Sequence, residues 1–270
     1  MDMYSLIALD IDGTLIGPDG RVSSANRRAV ARAREAGVRV VLCTGRSWQE
    51  SEDVADQAGC DRVLVCQGGA ALADLDQRRN TRRWDIHRET GRALVERLER
   101  EELGLMLFAG EELLVNPRGE EIFRTYPSAG FHRCKRVEAR PGAVLEREGL
   151  PLSKIYAQGA PETFPSLLKE LGRCREVELT SSAPYNFEIV PAGVDKGTSL
   201  AALAGVLGLG LEDCAAIGDS DNDRGMLAAV GMPIAMGNAA EEIRALARRV
   251  TASNREDGVA KAIGRLLEEG

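Results

Sequence analysis

Residues 5–16 read SLIALDIDGTLI. An apolar run ends in two aspartates one residue apart, Asp10 and Asp12, and Gly13 follows at once. A short run of aliphatic residues without polar alternation is what a strand buried on both faces of a parallel sheet requires. In open α/β sheets ligands bind outside the carboxyl ends of the strands, which is where this stretch delivers its carboxylates. Two carboxylates so close repel one another unless a cation or a shared proton intervenes. In an extended chain Asp10 and Asp12 lie on one side, with Ile11 opposite. Gly13 then lets the backbone turn away, and Thr14 can tie that turn.

The pattern recurs along the chain. VRVVLCTGR (38–46), RVLVCQGGA (62–70), CAAIGDSDND (214–223), MPIAMGNA (232–239) and RRVTASNRED (248–257) each join an apolar run to a polar or glycine-rich turn. Between SLIALDIDGTLI and VRVVLCTGR, Ser23 to Ala36 is a helical stretch that Gly37 can end as a left-handed cap. These segments predict an open α/β sheet. The middle behaves differently. From about Arg82 to Val190 the order reads helix, hairpin, long connection, strand, helix, two strands. GLMLFAGEELLVN (104–116) is a hairpin turning at Gly110 and Glu111, and CREVELTSSAPYNFEIVP (174–191) is a second strand pair. Antiparallel pairs backed by helices predict an α+β module inserted into the α/β domain. The expected division is a discontinuous core of residues 1–81 and 191–270, with residues 82–190 inserted.

Composition narrows the function. The chain has 270 residues, 44% hydrophobic and 29% charged, so it can bury a sizeable core and is not a disordered polymer. A net charge of -7 argues against a nucleic-acid binder held by phosphate contacts. It leaves phosphorylated substrates open, because a local site can be positive while the whole is not. The six cysteines are scattered, with no C-x-x-C pair, which points to a reducing cytoplasm and away from structural zinc. The first apolar run is too short for a signal peptide, and nothing approaches a membrane span. A cytoplasmic protein without nucleic-acid or membrane partners is expected.

Every polar oddity falls at a strand end. The first strand gives Asp10 and Asp12, the second Thr44, Gly45 and Arg46, the next Gln67 and Gly68, and IGDSDND gives Asp219, Asp221, Asn222 and Asp223. Lys196 opens the helix KGTSLAALAGVLG. Each piece has a bland alternative. Asp-Gly is ordinary turn chemistry, Thr-Gly serves any tight turn, and Asp219 or Ser220 could simply cap a helix. A lysine opening a helix opposes the helix dipole unless an anion lies nearby. Taken jointly, the bland readings need four coincidences. Hard oxygen ligands gathered at one rim suit Mg²⁺, and a carboxylate nucleophile with a lysine and amide donors describes phosphoryl transfer through an aspartyl-phosphate.

These four stretches, in this order, resemble the haloacid dehalogenase-like hydrolase superfamily. DIDGT looks like its first motif, TGR its second, Lys196 its third and GDSDND its fourth. The insert between Arg46 and Lys196 resembles the α/β cap of the Cof-like phosphatases, as do EIVPAGVDKG, GDSDNDRGML, AMGNA and NREDGVA. The fold implied is α/β, a Rossmann-like parallel-sheet core domain with an inserted α+β cap domain. The resemblance implies Asp10 as nucleophile and Mg²⁺ ligand. Asp12 becomes the general acid and then base, offering the metal its backbone carbonyl. Thr44, Gly45, Lys196 and Asn222 become phosphate-binding residues, with Lys196 also neutralising Asp10. Asp219 becomes a direct Mg²⁺ ligand and Asp223 its support. The chain departs from the family at CQGGA, where Gln67 stands in place of a frequent asparagine.

The function implied is Mg²⁺-dependent hydrolysis of small phosphorylated metabolites, sugar phosphates or similar monoesters, by a monomer or weak homodimer. Two alternatives stay open: a phosphosugar mutase on the same fold, and a non-catalytic protein that binds a phosphorylated ligand or signals. The cap is expected to select the leaving group, but no residue there stands out. His87, His132, Arg124, Arg133 and Lys135 read as surface or packing residues.

Overall fold

The computed structural model describes residues 4–269. Its first pass makes β1 (Leu6–Leu9), α1 (Ser24–Glu35), β2 (Arg39–Leu42), α2 (Trp48–Ala58), β3 (Val63–Cys66), β4 (Ala71–Asp74) and β5 (Arg79–Arg83). The Ser23 hydroxyl accepts the Asn26 N–H to start α1, and Gly37, at φ +86°, turns the chain out after it. A central stretch makes α3 (Arg88–Leu98), β6 (Gly104–Ala109), β7 (Glu112–Val115), α4 (Pro117–Ile122), α5 (Ala129–Cys134) and β8 (Lys135–Val137). It continues through α6 (Pro141–Glu148), β9 (Leu152–Gln158), α7 (Phe164–Leu171), β10 (Val177–Thr180) and β11 (Asn186–Pro191). The last pass makes α8 (Lys196–Val206), β12 (Cys214–Gly218), α9 (Arg224–Ala229), β13 (Met232–Ala235), α10 (Glu241–Arg244), β14 (Arg249–Val250) and α11 (Gly258–Glu269).

The chain divides into two compact units, Met1–Thr81 with Asp195–Gly270, and Arg82–Val194. The second crossing falls beyond residue 190 because β11 runs to Pro191 and pairs with β9 and β10.

The first unit is built on a five-stranded parallel sheet in the order β14-β13-β12-β1-β2. Ile7, Leu9, Val40, Leu42, Ile217 and Ile234 pack with Val30 of α1 and Ile263 of α11. Every residue of β1, β12 and β13 is buried, which explains why their sequences do not alternate. Each large aliphatic side chain so buried contributes about 1.5–3 kcal/mol.

RVLVCQGGA does not continue this sheet as a further parallel strand. It joins β2 by one parallel bridge, Cys43 with Val65, and then pairs antiparallel with β4 in a separate β3-β4-β5 sheet. Three consecutive left-handed residues, Gln67 (φ +57°), Gly68 (φ +72°) and Gly69 (φ +100°), send the chain straight back. Sequence periodicity does not register so tight a reversal.

The second unit holds a six-stranded sheet, β10-β11-β9-β6-β7-β8, antiparallel except where β8 runs parallel to β7. Alternation sorts its faces. Leu105, Leu107, Ile155, Phe187 and Ile189 meet Val95 of α3, Val144 of α6 and Leu167 of α7, while Met106, Phe108, Leu113 and Val115 meet Phe123 and Phe131. The expected hairpin turns at Gly110. The expected long connection is instead structured as α4, α5, β8 and α6. Asn116 and Ser128 cap the two six-residue helices, which are too short to show a helical period. No helix among the described residues is long and apolar enough to cross a membrane.

Candidate active site

The carboxyl ends of neighbouring strands carry the polar residues. Asp10 follows β1, Thr44 to Arg46 lie just past β2, Asp219 follows β12, and Asn238 lies three residues past β13. Lys196 enters from another direction, as the first residue of α8. Its preceding residue, Asp195, caps that helix by accepting the Thr198 N–H at 2.6 Å, and the Asp195 N–H donates back to the Thr198 hydroxyl. Gly197 lets α8 press on the backbone of Gly225, where a Cβ would overlap the Gly225 carbonyl.

The Lys196 side chain is completely buried. Its Nζ donates to Asp10 Oδ1 at 2.7 Å and to Asp223 Oδ1 at 2.6 Å. Two carboxylates thus offset the unfavourable position of a lysine at a helix N-terminus. The other Asp223 oxygen accepts the backbone N–H groups of Asp219 (2.8 Å) and Ser220 (3.0 Å), fixing the turn that carries Asp219. Asp219 Oδ1 accepts the Thr14 hydroxyl at 2.9 Å, and its Oδ2 accepts the Asn238 amide at 3.2 Å. Thr14 therefore reaches across 205 residues rather than tying its own turn. Gly13, at φ +82°, lies so close that a Cβ would overlap the Asp219 carboxylate. Its carbonyl also accepts from Asn238, at 2.9 Å.

Asp12 faces elsewhere. Its side chain is 52% exposed and both its oxygens are taken by Arg46, itself 5% exposed, with Nε to Oδ2 at 2.8 Å and Nη2 to Oδ1 at 2.6 Å. Thr44 is fully buried and its hydroxyl oxygen accepts the Arg46 N–H at 3.2 Å, which leaves the hydroxyl proton for another acceptor. Gly45 is half-buried between them. Asn222 is half-buried, with its Oδ1 accepting the Ser220 hydroxyl at 3.0 Å. Gln67 is buried at φ +57°, a backbone region in which asparagine is enriched.

Charge at this rim does not balance. Asp10, Asp219 and Asp223 each place one oxygen within 4.8 Å of the others, yet one buried ammonium serves the group. Burial raises the Asp10 carboxyl well above its ordinary value; Lys196 pulls it back, while Asp223, Asp219 and Asp12 push it further up. Burial and the neighbouring Asp223 push Asp219 up to about 7. Burial alone would lower Lys196, but Asp10 and Asp223 hold it well above its ordinary value, so it stays an ammonium. Three hard oxygen donors with surplus negative charge fit a divalent cation of the Mg²⁺ kind.

The sequence singled out Asp10, Asp219, Asp223 and Lys196, and the structure gathers them into one contact group. Asp12 and Asn222 are not part of it: the first turns to Arg46 and the second to Ser220. Sequence reasoning gave no role to Arg46 or Asn238. The signal for Arg46 was a cation at a strand end beside two acids, and for Asn238 the polar AMGNA turn after β13.

Residues 7–263 match the family described as haloacid dehalogenase-like hydrolase. "Phosphatase YwpJ" of Bacillus subtilis (strain 168) is 30% identical over 287 residues, covering 97% of this chain and 99% of that protein. "5-amino-6-(5-phospho-D-ribitylamino)uracil phosphatase YcsE" of the same organism is 30% identical over 258 residues, covering 96% and 94%. The solved structure of a haloacid dehalogenase-like hydrolase from B. subtilis superposes with a TM-score of 0.88 at 28% identity, covering 97% of this chain and 99% of that one.

Proposed function

The chain belongs to the haloacid dehalogenase-like hydrolase family and is a phosphatase, and on that premise we propose which residues do the chemistry and on what class of substrate. The observation that carries the proposal is the buried Lys196 ammonium shared by Asp10 and Asp223, with Asp219 beside them. Asp10 is the nucleophile. Its carboxylate oxygen attacks phosphorus, the P–O bond to the leaving alcohol breaks, and protonated Asp12 gives its proton to the departing oxygen. Water then attacks the aspartyl-phosphate and gives its proton to Asp12, now a carboxylate. The P–O bond to Asp10 breaks, orthophosphate leaves, and both aspartates return to their starting forms.

Lys196, Thr44, Gly45 and Asn222 hold the phosphoryl oxygens, with Lys196 also drawing Asp10 toward the ionised form that attacks. Asp10, Asp219 and the Asp12 carbonyl are assigned to Mg²⁺. Asp223, both of whose oxygens already accept hydrogen bonds, holds the Asp219 turn in place. Bound Mg²⁺ supplies Lewis-acid polarisation of the phosphoryl group and cancels the surplus charge. General acid–base help from Asp12 is worth about 10²–10⁴-fold, so most of the acceleration falls to positioning and charge.

The substrate class is a small phosphorylated metabolite, a sugar phosphate or similar monoester. None of the rim residues is suited to telling one alcohol from another, so we assign that choice to the unit Arg82–Val194, acting as the cap. Six free thiols suit a reducing compartment, and we place the enzyme in the cytoplasm. The first test is p-nitrophenyl phosphate with Mg²⁺ and with EDTA, followed by a panel of sugar phosphates, nucleotides, flavin and pyridoxal phosphates. Release that needs Mg²⁺ is expected; no release under either condition refutes the mechanism.

A further inference from the structure

Arg46 has no role in the mechanism above, yet it holds Asp12 of the DIDGT stretch by both carboxylate oxygens. Its guanidinium meets Asp12 fork to fork, at 2.8 and 2.6 Å. The arginine is rooted on both sides of its Cα. Its N–H donates to the Thr44 hydroxyl at 3.2 Å, and its carbonyl accepts the Gln67 N–H at 2.7 Å. A side chain 5% exposed thus holds one that is 52% exposed. The fixed partner is the arginine and the guided partner is the aspartate.

We propose that Arg46 is the positioning residue that reserves Asp12 for proton transfer. Two carboxylates one residue apart compete for any cation placed near them. Here each has its own: Lys196 Nζ for Asp10, shared with Asp223, and the Arg46 fork for Asp12. A planar bidentate contact fixes the rotation of the carboxylate as well as its position, which a lysine point charge does not. Each Asp12 oxygen accepts one hydrogen bond from Arg46 and keeps a lone pair for the travelling proton. Asp12 accordingly stays outside the oxygen cluster of Asp10, Asp219 and Asp223. Without Arg46 its side chain loses its fixed geometry, and with it the effective concentration that makes proton transfer fast.

The inference rests on the phosphatase reading, and its test separates the two. Arg46→Ala and Arg46→Lys are mixed rapidly, in Mg²⁺, with p-nitrophenyl phosphate and with glycerol 2-phosphate. p-Nitrophenolate leaves without a proton; the glycerol alkoxide does not. For both variants on p-nitrophenyl phosphate, a burst approaching one equivalent per enzyme is expected, followed by a steady rate about 10²–10³-fold below wild type. On glycerol 2-phosphate, turnover falls at least as far and no phosphoenzyme accumulates. Equal slowing on both esters without a burst, or rates within about threefold of wild type, overturns the assignment. So does full activity in Arg46→Lys, which keeps the charge and volume but not the fork. If wild type itself releases no p-nitrophenolate, it is the phosphatase mechanism that has failed.

Discussion

Among the described residues, two buried lysines meet carboxylates, and they do so in opposite ways. In the unit Arg82–Val194, Lys154 of β9 and Glu188 of β11 form an ion pair at 2.8 Å, with side chains 1% and 4% exposed. The Lys154 ammonium also lies 5.2 Å from the centre of the Phe108 ring. At the rim of the first unit, Lys196 serves Asp10 and Asp223 together, and Asp219 adds a third carboxylate to the group. The first arrangement is neutral as it stands. The second carries surplus negative charge when its carboxylates are ionised, and is balanced either by protons or by a further cation. A buried pair that balances can be replaced by apolar groups at little net cost, whereas a buried group that does not balance marks a candidate ligand site.

The largest test of that contrast is Asp10→Asn. Turnover is expected to fall on the order of 10⁶-fold, as removal of a covalent nucleophile does, measured as Mg²⁺-dependent p-nitrophenolate release. The thermal midpoint of the metal-free protein should not fall, because one of the crowded carboxylates loses its charge while Lys196 keeps Asp223. Full activity in this variant would sink the mechanism. The cap pair should answer the other way. Lys154→Met leaves Glu188 buried and unpaired, at a cost of about 3–5 kcal/mol, read from urea unfolding. The double change Lys154→Met with Glu188→Leu should recover most of that loss, since two apolar groups can replace a buried pair at little net cost. A single variant costing under about 1 kcal/mol would fit an exposed pair and break the contrast.

How much of this was readable in advance follows the same division. The parallel sheet was legible because β1, β12 and β13 are buried on both faces and must be aliphatic throughout. Asp10, Asp219 and Asp223 were legible because polar side chains beyond the ends of such strands have no packing purpose, and Lys196 because a lysine opening a helix opposes its dipole unless an anion lies nearby. Other features depend on contacts that local pattern does not encode. Thr14 meets Asp219 across 205 residues, and Arg46 meets Asp12 across 34. The reversal at Gln67 needs three left-handed residues in a row, of which two are glycines and one is not. The Lys154–Glu188 pair escaped notice because a charge in a strand reads as a solvent-facing position. Only the sheet order, with β9 beside β11, turns both inward together.

The finest probe of the unbalanced rim is its response to pH. Asp219 keeps its proton up to about pH 7 in the folded protein, against an ordinary value of 3.8. Between those limits the folded chain binds more protons than the unfolded one, so stability falls as pH rises through the window. Asp10, raised by burial and by its acidic neighbours, adds a slope of the same sign. This is the reverse of a carboxylate held by a salt bridge, which gains stability as pH rises. In EDTA, the thermal midpoint should therefore be several degrees higher at pH 5.5 than at pH 7.5, at about 2–4 °C per kcal/mol for a chain of this size. Mg²⁺ competes with those protons for the same oxygens. Its stabilisation grows as RT ln(1 + [Mg²⁺]/Kd), and Kd is lower where the carboxylates are already ionised. Millimolar Mg²⁺ should then raise the midpoint more at pH 7.5 than at pH 5.5 and flatten the slope. A metal-free midpoint that climbs with pH, or an equal Mg²⁺ increment at both values, would mean that the rim is balanced after all and differs from the cap pair only in its address.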